Sequence, residues 1–453
     1  MKIVSKTFDS ICAISSPPGI GGVSLIRISG KDAITIVETI FSKSLQNSKG
    51  YQIIYGKILD KNEIIDDVLL SIFKNPHSYT GENTVEINCH GSTFIQQKII
   101  ELLINKGARL ALPGEFSKRA FLNGKLDLSQ TEAIADLINS KSSAAHALAI
   151  KQLKGGISSE LKSLRNKLIE FASLIELELD FSEEDVEFAD RKHLTELIQN
   201  LISHIGQLKQ SFQYGNAIKN GVSTVIAGRP NAGKSTLLNY ILNENRAIVS
   251  SIAGTTRDTI EEIITINGID FRIVDTAGIR NTEDEIEKIG VQKTLEKINN
   301  SSLVIYIYDS ASTSKKEVDQ DLIKYVENKV PCLVIANKVD LINNIDGISK
   351  EHFQTSLTDN SDISEIKNLV YELFNKNNVN NESVVISNMR HFEALELAYT
   401  ELLKIQKGLS SNIPGDLIAM DIRQVLYHIG TITGDISSDE LLGNIFANFC
   451  IGK

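Results

Sequence analysis

The chain has 453 residues, 42% apolar and 23% charged, enough for about three domains with cores of their own, which excludes a disordered chain. Lys and Arg number 47 against 57 Asp and Glu, a net charge of −10 that suits nonspecific coating of nucleic acid poorly. No stretch of about eighteen apolar residues occurs, which excludes a membrane-spanning helix.

The start, Met1-Lys2-Ile3-Val4-Ser5-Lys6 followed by Thr7 and Asp9, reads as neither a secretory nor a transit signal. The four cysteines, Cys12, Cys89, Cys332 and Cys450, have no spacing that suggests zinc or a disulfide framework, so a reduced, cytoplasmic protein is expected. Charge is uneven along the chain. Lys106 to Lys167 carries eleven basic and five acidic residues, whereas Phe171 to Asn216 carries nine acidic and three basic. The basic stretch either meets phosphate or is a solvated helix face.

In chain order, the first part reads as mixed α/β. Val23–Ile28 and Thr84–Ile87 are β-rich runs bounded by turn formers, and Ile95–Leu103 has helical periodicity ending before Gly107. Gly19-Ile20-Gly21-Gly22 is not a dinucleotide fingerprint, because the third glycine position is Ser24 and no long helix follows. From Leu128 to about Gln213 the pattern is that of long helices, with Leu161, Leu164, Leu168, Phe171, Ile175 and Leu179 at spacings of three and four. The acidic segment Ser182 to Asp190 is expected to interrupt them.

Strands then alternate with helices from Gly221 to about Asn375. The strand-like runs Ser223–Ala227, Ile269–Val274, Leu303–Tyr308 and Cys332–Ala336 predict a mostly parallel, doubly wound sheet. Asn267-Gly268, between Ile263–Ile266 and Ile269–Val274, predicts one antiparallel hairpin. Helical pattern returns through His391–Gln406 and Leu417–Ile429. The expected organisation is an α+β N-terminal domain (1–122), a helical domain in two parts (123–216 and 377–453), and a doubly wound α/β domain (217–376) inserted into it.

Gly228-Arg229-Pro230-Asn231-Ala232-Gly233-Lys234-Ser235 fits the phosphate-loop pattern between a strand and the helical Thr236–Leu242. Glycines there let backbone amides surround phosphates at a helix N-terminus. Lys234 would neutralise the β- and γ-phosphates and Ser235 would ligate Mg²⁺. Asp275-Thr276-Ala277-Gly278 closes the strand after the hairpin and places a carboxylate near the metal. Asn337-Lys338-Val339-Asp340 closes a later strand, where the Asp340 carboxylate can accept from both N1–H and the 2-amino group of guanine, a donor pair adenine lacks. Thr355-Ser356-Leu357 is the best match to a base-contact loop. The three motifs in order specify a GTP site of the Ras-like doubly wound kind.

Ile279 stands where Ras-like GTPases have a water-positioning Gln. Either hydrolysis is slow or another group orients water; Glu283, Asp284, Glu285 and Glu287 lie just downstream, and a solvated acidic loop is the plainer reading of each. Between the phosphate loop and the hairpin, Ser250-Ser251-Ile252-Ala253-Gly254-Thr255-Thr256-Arg257-Asp258 supplies switch hydroxyls.

With Asn231 and Ile279, this segment resembles the potassium-dependent branch of translation-factor-like GTPases. The whole chain resembles the MnmE (TrmE) family of tRNA-modification GTPases. Three segments make the likeness specific: Ser16–Val23 with Arg27-Ile28-Ser29-Gly30, Pro113-Gly114-Glu115-Phe116 with Arg119–Asp127, and the terminal Phe449-Cys450-Ile451-Gly452-Lys453.

The resemblance implies a K⁺ site formed by the Asn231 side chain, the Ser250 and Ile252 carbonyls and the Thr255 hydroxyl. It also implies Mg²⁺ on Ser235 and Thr256, and Glu287 orienting the attacking water. It implies a folate-binding, dimerising N-terminal domain with Arg27, Glu86, Lys125 and Lys453 contacting a tetrahydrofolate derivative (5-formyl or 5,10-methylene). The implied reaction adds an aminomethyl-type group, carboxymethylaminomethyl or aminomethyl, to carbon 5 of the wobble uridine of certain tRNAs. The implied assembly is a homodimer forming a heterotetramer with an FAD-dependent MnmG-family partner. The basic stretch holding Lys125, Lys151 and Lys154 is the expected side of tRNA approach. Cys450 is either a reactive thiol or a small residue in a packed or mobile tail. The alternative function is a GTP-switched ribosome-assembly factor, which would not need the N-terminal segments or Phe449–Lys453.

Overall fold

The computed structural model describes residues 9–180, 191–245, 262–274, 296–326, 330–342, 348–358, 361–376, 384–411, 413–447 and 449–452. The acidic stretch 182–190 lies outside them. Two compact units emerge, one of Met1–Ile138, Gln152–Phe188 and Gly415–Lys453, the other of Asn139–Lys151 and Ala189–Pro414.

The first unit begins with β1 (Ser10–Ile14), β2 (Gly21–Ser29), α1 (Ala33–Glu38), β3 (Gln52–Asp60), β4 (Glu63–Phe73), β5 (Thr84–Gly91), α2 (Thr93–Asn105) and β6 (Ala108–Leu110). The strands form one sheet in the order β3-β4-β5-β2-β1-β6. All pairs are antiparallel except β1–β6, which is parallel. The strand period of two decides which face is buried. On β4, Val68, Leu70 and Ile72 point into a core shared with Ile26, Ile28, Ile58, Val85 and Ile87 and with Ile99 and Leu103 of α2. The alternate positions leave Ile53, Tyr55 and Leu69 exposed, at 68%, 57% and 45%. Gly21 and Gly22 open β2 rather than a nucleotide-binding turn.

Helices follow: α3 (Glu115–Leu122), α4 (Leu128–Asn139), α5 (Ser143–Leu153), α6 (Gly156–Asp180) and α7 (Arg191–Asn220). Arg119 is 4% exposed and fixes α3 to the sheet domain. Its guanidinium donates to Asp9 Oδ1 at 2.8 Å, to Glu82 Oε2 at 3.1 Å and to Glu115 Oε1 at 3.1 Å, so the buried charge is well paired.

The second unit holds β7 (Val222–Ala227), α8 (Lys234–Asn245), β8 (Glu262–Ile266), β9 (Ile269–Ile273), β10 (Leu303–Asp309), α9 (Lys315–Val326), β11 (Cys332–Asn337), a 3₁₀ turn (Val339–Leu341), β12 (Phe353–Gln354) and α10 (Ile363–Lys376). The sheet order is β12-β11-β10-β7-β9-β8, parallel throughout except for the β8–β9 hairpin. Every β10 residue from Leu303 to Tyr308 is buried, as expected of a central strand covered on both faces. Asn267 and Gly268 have φ of 47° and 81°, the pair of positive values a type I′ turn demands.

The chain closes with α11 (Met389–Ser410), α12 (Gly415–Thr433) and α13 (Asp439–Ala447). Within the units α6 packs on α12, and α7 on α11. The helices before and after the α/β region therefore pair with each other, as an inserted domain requires. Among the described residues no helix is long and apolar enough to cross a membrane.

Candidate functional site

The phosphate loop leaves β7 through Gly228, whose φ is 148°. A Cβ here would lie 2.0 Å from the Ile307 carbonyl oxygen on the neighbouring strand. Backbone cannot retreat as a flexible side chain can. Gly228→Ala is therefore expected to destabilise this unit by about 2–4 kcal/mol, summing backbone strain and overpacking; a urea melt with an unchanged midpoint would contradict it. Gly233 is constrained by its φ of 107°, and its Cβ would meet the side-chain Nδ2 of Asn337 at 2.3 Å. Asn231 takes φ of 60° between them.

Lys234 is the first residue of α8. Its Nζ donates to the Gly228 and Arg229 carbonyls at 2.7 Å each. Burial pushes its pKa below the ordinary lysine value, so an anion beside it would be strongly favoured. Ser235 and Thr236 follow on the same helix, and both line the cavity in front of it.

Asn337 ends β11 and is 3% exposed. It donates from Nδ2 to the Ala232 carbonyl at 2.9 Å and accepts at Oδ1 from the Leu357 amide at 3.1 Å. One side chain thus ties the phosphate loop to the Thr355–Leu357 loop. That loop is itself fixed, because the Thr355 amide donates to the Ala336 carbonyl at 2.9 Å and its hydroxyl to Asp362 Oδ2 at 2.5 Å. Asp340 lies on the 3₁₀ turn and accepts from the Ser356 hydroxyl. Asn231, Gly233, Lys234, Asn337, Lys338 and Asp340 border one cavity of about 420 Å³, large enough for a nucleotide.

Two side chains that the sequence analysis did not single out support this frame. Arg229 donates to Glu317 Oε1 at 2.6 Å and to Asp321 Oδ2 at 2.9 Å, fastening the phosphate loop to α9. Hydrogen bonds from the Ser314 hydroxyl and amide, and then from Arg229, hold the Glu317 carboxyl down at about 2. Asp309 ends β10 and accepts from Lys338 Nζ at 2.7 Å. A carboxylate at the C-terminal end of a parallel strand was the available signal for Asp309.

Ser250, Ser251, Ile252, Ala253, Gly254, Thr255, Thr256, Asp275, Thr276, Ala277 and Gly278 lie outside the described residues, as do Ile279, Glu283, Asp284, Glu285 and Glu287. Of the candidate cation ligands, Asn231 and Ser235 are described. Both offer oxygen donors at the same cavity as Lys234, the ligand type that hard cations take.

A second cluster lies in the sheet domain. Arg27 and Glu86 are register partners on β2 and β5. Arg27 donates to Glu86 Oε1 from Nε at 2.9 Å and from Nη2 at 2.7 Å, and from Nη1 to the Gly452 carbonyl at 3.2 Å. Its guanidinium lies 5.5 Å from the Tyr79 ring centroid and 5.6 Å from that of Phe116. The Gly452 carbonyl also accepts from the Ser15 hydroxyl at 3.0 Å, and the Cys450 carbonyl from the Gly114 amide at 3.3 Å. The C-terminal segment therefore docks on two of the N-terminal motifs. Lys125 instead donates to the Pro76 carbonyl at 3.1 Å. Lys453 lies outside the described residues. Cys450 is exposed. His90, beside Cys89, is engaged by Asp66 at 2.6 Å, and among the described residues no cluster of His, Cys, Asp and Glu could hold a metal.

Two family models match the chain: "GTP-binding protein TrmE N-terminus" over residues 10–125 and "MnmE helical domain" over residues 128–450. The chain is similar to the tRNA modification GTPase MnmE of Cytophaga hutchinsonii, at 50% identity over 99% of each chain. It is also 50% identical to that of Flavobacterium psychrophilum, over 98% of this chain and 99% of the relative. Among solved structures, the FeoB G-domain from Methanococcus jannaschii aligns with 34% of this chain and 97% of its own length, at 22% identity and a TM-score of 0.25.

Proposed function

Because the chain belongs to the MnmE (TrmE) family of tRNA modification GTPases, we propose that it hydrolyses GTP to drive modification of carbon 5 of the wobble uridine in certain tRNAs. The observation that carries the GTPase reading is the convergence of Lys234, Asn337 and Asp340 on one cavity. Lys234 holds the β- and γ-phosphates, and Asn337 keeps the phosphate and base loops in register. Asp340 selects guanine by accepting from two donors on one edge of the base. The remaining nucleotide contacts are assigned to Ala232, Gly233 and Thr236, the 250–256 and 275–278 segments, and Lys338.

Ser235 and Thr256 would hold Mg²⁺; Asn231, Ser250, Ile252 and Thr255 would hold K⁺. When bound, these ions supply the positive charge that an arginine supplies in other GTPases, where it is worth roughly 10³–10⁵ in rate. Glu287 orients the attacking water in the place Ile279 cannot fill.

In the N-terminal domain, Arg27, Glu86, Lys125 and Lys453 are assigned to a tetrahydrofolate derivative, which supplies the one-carbon unit. The docking of Gly452 on Arg27 supports this, since it brings the C-terminal segment to the Arg27–Glu86 pair. The exposed Ile53, Tyr55 and Leu69 face supports a homodimer through the same domain. Flavin chemistry belongs to an MnmG-family partner in a heterotetramer. The cytoplasm is the assigned compartment, and 1–122, 123–216 with 377–453, and 217–376 the assigned domains.

The test is nucleoside mass spectrometry of tRNA from cells lacking the chain, restored with wild type or Lys234→Ala, with GTPase rates of the purified protein in K⁺ and Na⁺. The modified nucleoside should vanish, return only with wild type, and hydrolysis should run faster in K⁺. An unchanged nucleoside profile would leave ribosome assembly as the better reading, and equal rates in both salts would remove the K⁺ site.

A further inference from the structure

The base end of the cavity is shaped where β10 and β11 stop. Asp309 and Asn337 are register partners and the last residues of these two parallel strands. Beyond them both chains turn. Ser310 donates to the Asn337 carbonyl from its amide at 2.9 Å and from its hydroxyl at 2.7 Å. Lys338 enters the left-handed region at φ 63° and returns its ammonium to Asp309 Oδ2 at 2.7 Å. The other oxygen of that carboxylate, Oδ1, accepts from the Ala311 amide at 2.9 Å. Asp309 is therefore fixed at both oxygens. Burial opposes its ionisation, but Lys338 and the Ala311 amide outweigh that and hold the carboxyl below its ordinary value.

Lys338 borders the cavity beside Asp340. With its head tied to Asp309, its four-carbon stem is held at that border. A free lysine stem samples many rotamers, and ordering it on ligand binding costs affinity. We propose that Asp309 is a positioning residue for the nucleotide: by holding the Lys338 ammonium it turns the lysine stem into a preordered apolar wall for the face of the purine seated on Asp340. The proposal rests on the assignment of Asp340 to the base edge. It divides the labour at the site. Asp340 reads the edge and discriminates between purines, whereas the Asp309–Lys338 wall touches the face and serves all purines alike.

Titrations of the full chain with GDP and with IDP, which lacks the 2-amino group, test this. Asp309→Asn keeps the Oδ1 acceptor for the Ala311 amide but loses the charge that anchors Lys338. It is expected to weaken GDP and IDP by the same factor, about five- to tenfold from reordering one long side chain, with the GDP-to-IDP ratio unchanged. The loss should appear in KM for GTP rather than in kcat. Lys338→Met, which keeps the stem without the ammonium, should show the same equal loss, and Asp309→Asn added to it should have no further effect. That last result separates anchoring from a general structural role, and Lys338→Met alone carries the prediction if Asp309→Asn does not fold. Unchanged affinity, a shifted GDP-to-IDP ratio, or an equal further loss in the Lys338→Met background would each overturn the proposal. Asp340→Asn run alongside distinguishes its failure from failure of the site reading: if that variant keeps full preference for GDP over XDP, the base does not sit on Asp340 and both readings fall.

Discussion

Replacing Lys234 by alanine is expected to lower GTP hydrolysis at saturating nucleotide by about two to three orders of magnitude, the usual cost of removing one preorganised donor from developing charge. The physical ground is the position of the ammonium. It opens α8, where helix-terminal amides already favour anions, and it is held at 2.7 Å by the Gly228 and Arg229 carbonyls. Burial disfavours its charged form, which a phosphate relieves by supplying the opposite charge. Phosphate binding therefore raises the Lys234 pKa from a depressed starting value. The complex is fully stabilised at pH below the value in the free protein, and that stabilisation fades as pH climbs from there toward the value in the complex. Single-turnover hydrolysis across pH measures both effects. A rate within tenfold of wild type would place Lys234 away from the phosphates. Lys234→Arg is not expected to restore the rate, because a planar guanidinium cannot replace a compact ammonium inside the loop.

The second large effect is a change of nucleotide. Asp340→Asn replaces one acceptor oxygen by a donor, so guanine's N1–H or 2-amino group would face an N–H. One hydrogen bond is lost and two facing N–H donors are left unpaired; at about 1–3 kcal/mol for each unsatisfied donor, this corresponds to a loss of GTP affinity of roughly 10²–10⁴. Xanthine carries a carbonyl where guanine has the amino group and matches the new donor, so XTP should gain what GTP loses. The wild-type carboxylate is oriented by the Ser356 hydroxyl, which can also donate to the asparagine oxygen and hold the variant in the same place. Competition of GDP and XDP for the site is the measurement. Retained GDP preference with no gain for XDP would mean that the Asp340 carboxylate is not the guanine reader.

The phosphate loop was legible because its demands are local. Gly228 and Gly233 hold positive φ values that other residues rarely adopt, Lys234 opens the helix that follows, and all three sit within seven residues. The Asn267-Gly268 turn was legible for the same reason, since both φ values are properties of the dipeptide itself. Continuous apolar runs identified β10 and β11 as strands of the parallel sheet. In the N-terminal sheet, β3 and β4 were harder to read. They mix core residues with exposed Ile53, Tyr55 and Leu69, and an apolar residue on the outer face breaks the alternation that marks a strand.

By itself, then, the sequence determined the elements whose cause is contained in a short segment: the phosphate loop, the hairpin turn, the Asn337-Lys338-Val339-Asp340 turn that closes β11 and the alternation of strand and helix around them. Tertiary structure alone decided which distant groups meet. The β10–β11 register puts Asp309 beside Lys338 across 29 residues, and the β2–β5 register puts Arg27 beside Glu86 across 59. Closure of the chain brings the Gly452 carbonyl to Arg27 across 425. Strand register and loop closure are set by the packing of the whole core rather than by local propensity, so hydrogen bonds and ion pairs that depend on them leave no local pattern in the residues that make them.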